Sequence, residues 1–144
     1  MEPVHVLFVD DDDSLQLLAS ALLNGNLFEI FSAHNVKEAE NLLEKRRIDL
    51  IVCDVLMPGE DGISFCTRLK TQGCKIPILI LSACDDPTTM KKGISSGINQ
   101  YLVKPFDIYE LQSRMLRMVG RKMVRPPTAK GPGDPPKFLN WFRR

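Results

Sequence analysis

Polar residues with shared chemistry stand where the apolar runs of this chain end. Residues 4–9 (VHVLFV) run directly into Asp10 and Asp11, and residues 48–53 (IDLIVC) into Asp54. Residues 76–81 (IPILIL) end in Ser82, and residues 101–103 (YLV) in Lys104. If these runs are neighbouring parallel strands, their C-terminal ends lie along one edge, where open α/β sheets place their ligands. Three carboxylates gathered there repel one another and resist ionisation. A divalent cation resolves that repulsion, and hard oxygen donors suit Mg²⁺, which keeps waters and commonly bridges to a phosphate. A lysine and a hydroxyl on the next strands are groups that hold a phosphoryl oxygen. The set therefore reads as a phosphoryl-handling site, although Asp54 by itself would equally suit a strand terminator or a cap.

The elements that must position these residues alternate along the chain. The run ending in Asp54 is apolar throughout its second half, as expected of a strand buried on both faces. Asp13 is the expected N-cap of a first helix, with Gln16 in the capping-box position and Leu15, Leu18, Leu22 and Leu23 at helical spacing. That helix is expected to stop near Asn24-Gly25, before a strand at residues 28–31. Asn35 and Glu38 form a second box, ahead of Val36, Ala39, Leu42 and Leu43. After the turn signal Pro58-Gly59, a third helix over about residues 61–71 would bury Ile63, Phe65, Cys66 and Leu69. A weaker helix is expected over about residues 87–96, and a fifth over about 107–119 with Leu111, Met115 and Leu116 inward. Five βα repeats imply a doubly wound α/β fold, with a parallel five-stranded sheet, right-handed crossovers and helices on both faces.

Composition is that of an ordinary globular protein, 44% apolar and 26% charged over 144 residues. No apolar run approaches the ~20 residues needed to span a bilayer, and the N-terminus lacks signal-peptide character, which predicts a cytoplasmic protein. Cys53, Cys66, Cys74 and Cys84 have no C-x-x-C spacing and read as reduced thiols. His5 and His34 lack partners at metal-ligand spacing. The net charge of +1 conceals an asymmetry. From residue 121 on, Arg121, Lys122, Arg125, Lys130, Lys137, Arg143 and Arg144 face one acid, Asp134, whereas the preceding body is net acidic. We expect a domain over 1–121 and a proline-rich basic tail over 122–144, ending in Lys137-Phe138-Leu139-Asn140-Trp141-Phe142-Arg143-Arg144. The tail has no helix-turn-helix pattern. It suits an acidic partner, a membrane surface or nucleic acid no better than it suits a plain solvated end or a linker to an output domain.

Taken together, Val9-Asp10-Asp11, Asp54 with Met57-Pro58 and Asp61-Gly62, Leu81-Ser82-Ala83, and Tyr101-Leu102-Val103-Lys104-Pro105-Phe106 resemble the receiver domain of bacterial two-component response regulators. The resemblance covers about residues 4–120. It implies the flavodoxin-like strand order 2-1-3-4-5, for which a receiver is a standard example. It also implies that Asp54 takes a phosphoryl group from a sensor histidine kinase or phosphotransfer protein. Asp10 and Asp11 would bind Mg²⁺, with Mn²⁺ as a substitute, and Asp54 and the backbone carbonyl of Leu56 would complete the protein ligands. Lys104 would pair with the phosphoryl oxygens. Ser82 would move onto the phosphate and draw Tyr101 inward, remodelling the face of the fourth helix, fifth strand and fifth helix, a candidate homodimer surface. The Lys104-Pro105 bond would be cis, and the receiver body would not bind DNA itself.

Several readings compete with this one. Asp12 and Asp13 read as surface and capping residues, not ligands. Ser82, Lys104 and Tyr101, each taken alone, are an ordinary strand-end hydroxyl, a solvated lysine and a packing aromatic. A haloacid-dehalogenase-like phosphatase would need a second aspartate two residues after Asp54, where this chain has Leu56. A flavodoxin would need a hydroxyl-rich phosphate loop where Asp10 to Asp13 stand. A receiver-like module that works without phosphorylation fits the fold but leaves the five filled positions without a purpose. Leu56 and Cys84 occupy positions where faster-cycling receivers carry polar groups that orient water, which implies slow autodephosphorylation.

Overall fold

The computed structural model describes residues 2–57, 59–83 and 97–120. The helix expected over 87–96, Cys84, Pro58 and the tail over 122–144 lie outside the described residues. The chain divides into two compact units, Met1–Lys104 and Pro105–Arg144.

In the first unit, β1 (Val4–Val9), β2 (Phe28–Ala33), β3 (Leu50–Asp54), β4 (Ile78–Ser82) and β5 (Gln100–Val103) form one sheet in the order β2-β1-β3-β4-β5. Every pairing is parallel. Strands β3 and β4 are buried at all positions, as their unbroken apolar runs require. Alternation splits their side chains between the two faces. Leu7, Val9, Ile51, Cys53, Ile78, Ile80 and Tyr101 share one packed cluster with Ala39 of α2 (Val36–Lys45) and Ile63, Phe65, Cys66 and Leu69 of α3 (Gly62–Thr71). The inward residues of α1 (Asp13–Leu22) lie outside that cluster, on the face where its Gln16 meets the Phe8 carbonyl. The fold is thus the expected flavodoxin-like (βα) sheet with helices on both faces.

Two expectations for α1 are corrected. Its N-cap is Asp12, not Asp13: the Asp12 carboxylate accepts from the backbone N–H of Ser14 (2.9 Å) and Leu15 (3.2 Å). Its inward positions are Gln16 and Ala19, followed by Leu23 at the C-cap, while Leu18 and Leu22 are exposed. Both sets have helical spacing, so periodicity alone could not choose between them. Ala19 lets the helix lie close to the sheet, and the Gln16 amide has backbone carbonyls to serve.

The other caps follow the sequence. Asn35 accepts from the Glu38 N–H at 2.9 Å, and Asp61 from the Ser64 N–H at 2.9 Å. Glu38 answers by accepting from the His34 N–H at 2.9 Å, one residue before the expected box position. That bond and the His34 ring hold the Glu38 carboxyl below the ordinary range. Asn35→Ala is expected to cost about 1 kcal/mol of unfolding free energy, measured by urea titration. An unchanged midpoint would show that the cap contributes nothing.

In the second unit, Asp107 caps α4 (Ile108–Met118), accepting from the Glu110 N–H at 2.7 Å. Ile108, Leu111, Met115 and Leu116 are its buried residues, which include the three expected inward.

Candidate functional site

Register assembles the site. Val9 pairs with Cys53, so Asp10, one residue on, comes alongside Asp54. Asp54 pairs with Leu81, and Ser82 with Val103, so the next residue, Lys104, meets the same edge. Asp10, Asp11 and Asp54 each offer a carboxylate oxygen, and these oxygens lie within 4.8 Å of one another. Asp10 and Asp54 are buried and Asp11 is exposed, so the cluster has a dry floor and a wet rim. Lys104 Nζ stands 3.3 Å from Asp54 Oδ1 and 3.4 Å from Asp10 Oδ2. Those distances are long for hydrogen bonds and describe a charge held between two carboxylates.

The backbone fixes these side chains at several points. The Asp10 N–H donates to the Ala33 carbonyl at 3.0 Å, and Asp10 Oδ1 accepts from the Asp12 N–H at 2.9 Å. The Lys104 N–H donates to the Ser82 carbonyl at 2.7 Å. Beyond Asp54, the Gly62 N–H donates to the Val55 carbonyl at 2.8 Å, which draws the start of α3 against the end of β3.

Electrostatics record a shortage of positive charge. Burial pushes the Asp10 carboxyl above the ordinary range and the Asp54 charge adds to this, while the Asp12 N–H and Lys104 offset it only in part. Burial works against the Lys104 charge, yet Asp10 and Asp54 outweigh it and hold the ammonium above the ordinary lysine range. Three carboxylates against one lysine leave room for two positive charges. The donors are all hard oxygens and one side is open to water, so the set fits a Mg²⁺ ion that retains part of its hydration.

The remaining expected residues are distributed as follows. Ser82 is buried at the end of β4. Tyr101 is buried on β5, and burial, aided by the nearby Cys66 thiol, raises its phenol above the ordinary range. The Leu56 side chain is 71% exposed, directed to solvent beside the acidic cluster's strand end. Cys53 and Cys66 are free, buried thiols, and contact with Cys66 together with burial keeps the Cys53 thiol protonated.

Two features were not anticipated from the sequence. Gln16 is buried beneath Asp10. Arg68 of α3 binds Glu60 through both Nη2 (2.8 Å) and Nε (3.3 Å), and Glu40 of α2 through Nη2 (2.8 Å). The guanidinium also lies over the Phe65 ring, 5.5 Å from its centroid. It ties the loop after Asp54 to two helices.

The response regulator receiver domain family matches residues 6–116. The chain belongs to the response regulator receiver domain family. Over 119 residues the receiver is 36% identical to the response regulator MprA of Mycolicibacterium vanbaalenii, covering 83% of this chain and 52% of that protein. The chain therefore spans about half the length of the curated relatives it matches. In structure the receiver resembles the receiver domain of the Francisella response regulator 1452, with a TM-score of 0.74 and 35% identity over 81% of this chain and 96% of that one. It also resembles the Vibrio cholerae chemotaxis protein CheY4, with a TM-score of 0.75 and 31% identity over 81% and 98%. Membership places the receiver in phosphorelay signalling, as a phosphoacceptor and not a classical enzyme. The family implies a histidine kinase or phosphotransfer partner, and Mg²⁺ at the acidic pocket. Among the described residues, no helix is long and apolar enough to cross a membrane.

Proposed function

We propose that this receiver takes a phosphoryl group on Asp54 in a Mg²⁺-dependent reaction. The observation that carries this reading is the cluster of Asp10, Asp11 and Asp54 oxygens within 4.8 Å, with the Lys104 ammonium between two of them. An Asp54 carboxylate oxygen attacks the phosphorus of a phosphohistidine. The P–N bond breaks, the P–O bond of an acyl phosphate forms, and the imidazole leaves with a proton from the medium. Asp10, Asp11, Asp54 and the Leu56 carbonyl would hold Mg²⁺, or Mn²⁺ in its place, which supplies positive charge to the phosphoryl oxygens. Lys104 holds one of those oxygens from the protein side.

In this reading Ser82 closes on the phosphate, Tyr101 follows, and the surface around β5 changes its preference for a partner, a second copy of the chain included. The Lys104-Pro105 bond is assigned the cis form of the family. The receiver domain ends near residue 121 and acts in the cytoplasm. Residues 122–144 form a basic tail for an acidic partner or an anionic membrane surface, and the receiver body does not bind DNA itself.

Acetyl phosphate is the direct test, read by intact mass. One phosphoryl adduct is expected with Mg²⁺, and none without it or in Asp54→Ala. An adduct that survives Asp54→Ala would contradict the assignment.

Hydrolysis is expected to be slow. With the Leu56 side chain directed to solvent, that residue offers no polar group to orient water at the acyl phosphate. The half-life of the adduct after removal of acetyl phosphate should be minutes or longer, and a half-life of seconds would refute this.

A further inference from the structure

Gln16 occupies a core-facing position of a helix whose neighbours are mostly leucine, and only 4% of its surface is exposed. Its Nε2 lies 2.9 Å from the Phe8 carbonyl, 3.0 Å from the Asp10 carbonyl and 2.8 Å from the Ala33 carbonyl. All three partners are acceptors, so the amide nitrogen must face them, and its two N–H groups serve three oxygens. Oε1 is thereby left buried, with no hydrogen-bond partner among the described residues. A leucine or methionine there would strand no polar side-chain atom, so the glutamine breaks the local rule in order to hold these carbonyls.

The three carbonyls lie where β1 and β2 end. Ala33 O also accepts the Asp10 N–H, so Gln16 and Asp10 converge on the same oxygen. With Asp10 N–H on Ala33, Asp10 C=O on Gln16 and Asp10 Oδ1 on the Asp12 N–H, the residue is pinned at three atoms. Only Oδ2 remains, directed towards Lys104. A carboxylate fixed in this way meets a cation without first giving up rotamer freedom.

We propose that Gln16 is a positioning residue for the acidic site, fixing the Asp10 backbone so that its carboxylate is preset for the divalent cation. The proposal rests on the Mg²⁺ reading of the site. Outer partners that orient ligands are typically worth about 10- to 100-fold in metal affinity. Gln16→Met keeps length and burial but removes both donors, and is expected to weaken Mg²⁺ binding at least about tenfold by titration calorimetry. Val4→Ala, at the far end of β1, serves as the control for simple loss of stability. It should lower the thermal midpoint and leave Mg²⁺ affinity unchanged.

If Gln16 were merely structural, Gln16→Met would behave like Val4→Ala, and that result overturns the proposal. A second readout needs no variant. In the ¹⁵N spectrum of the full chain, the Gln16 side-chain NH₂ signals should shift on Mg²⁺ addition with the same midpoint as the Asp11 amide, and unmoved signals overturn the proposal. Absence of Mg²⁺ binding in the unsubstituted chain would instead overturn the reading beneath it.

Discussion

Gly62→Ala is expected to lose about 3 kcal/mol of stability and to abolish phosphorylation of whatever fraction folds. A Cβ at Gly62 would collide with the Asp54 carbonyl oxygen, far inside contact distance, and would lie 2.9 Å from the Asp54 carbonyl carbon and 3.1 Å from Cys53 Sγ. The obstacle is backbone, so no rotamer change relieves it. Either the start of α3 retreats and gives up the Gly62 N–H to Val55 carbonyl bond, or the end of β3 shifts and takes Asp54 with it. The glycine is required here by close approach and not by a left-handed backbone, since its φ is not positive. Denaturant titration and acetyl phosphate labelling of the same sample test both halves of the expectation. Wild-type stability with full labelling would mean that the contact between α3 and β3 is looser than described.

Asp10→Asn is expected to act in opposite directions on stability and on metal binding. Removing one of three carboxylates beside a divalent ion should weaken Mg²⁺ binding by roughly 100-fold, about 2.8 kcal/mol at 1.4 kcal/mol per tenfold. Without metal, the variant should be more stable than the parent at neutral pH. Folding raises the Asp10 carboxyl above its ordinary value, so its contribution to stability is fully present below the unfolded-state value, near 3.9, and is lost as pH rises through the folded-state value. At neutral pH the parent therefore carries a buried charge, only partly relieved by the Asp12 N–H and Lys104, that asparagine lacks. The gain in thermal midpoint should fade as pH falls towards the ordinary carboxylate range, where the parent is protonated too. A variant less stable than the parent at neutral pH, in the presence of a chelator, would show that Lys104 already neutralises the site.

Much of this was legible before the fold was known, for a physical reason. Strands β3 and β4 are buried on both faces and so appear as unbroken apolar runs, and a polar residue that ends such a run falls on the ligand-binding edge. Asp10, Asp54, Ser82 and Lys104 were located in that way. Helix α1 was legible in extent but not in facing. Leu18 with Leu22, and Gln16 with Ala19 and Leu23, are both at helical spacing, and what selects between them is a set of strand-end carbonyls that sequence does not display. The choice between adjacent aspartates for the cap, Asp12 and not Asp13, depends on backbone geometry at a single residue. The Arg68 bridge joins Glu40 and Glu60, which stand 28 and 8 residues away from it, a separation that local pattern does not register. Gln16 gave one signal, a polar side chain amid leucines, which a capping box explained equally well.

The central claim is that Asp54, and no neighbouring carboxylate, receives the phosphoryl group under control of a divalent cation. Borohydride reduction after acetyl phosphate treatment tests it most directly, since it converts an acyl-phosphorylated aspartate to homoserine that peptide sequencing by mass can place. The account predicts homoserine at residue 54 alone, formed with Mg²⁺ and absent when the metal is chelated. Homoserine at residue 10 or 11, or at residue 54 regardless of metal, would contradict it.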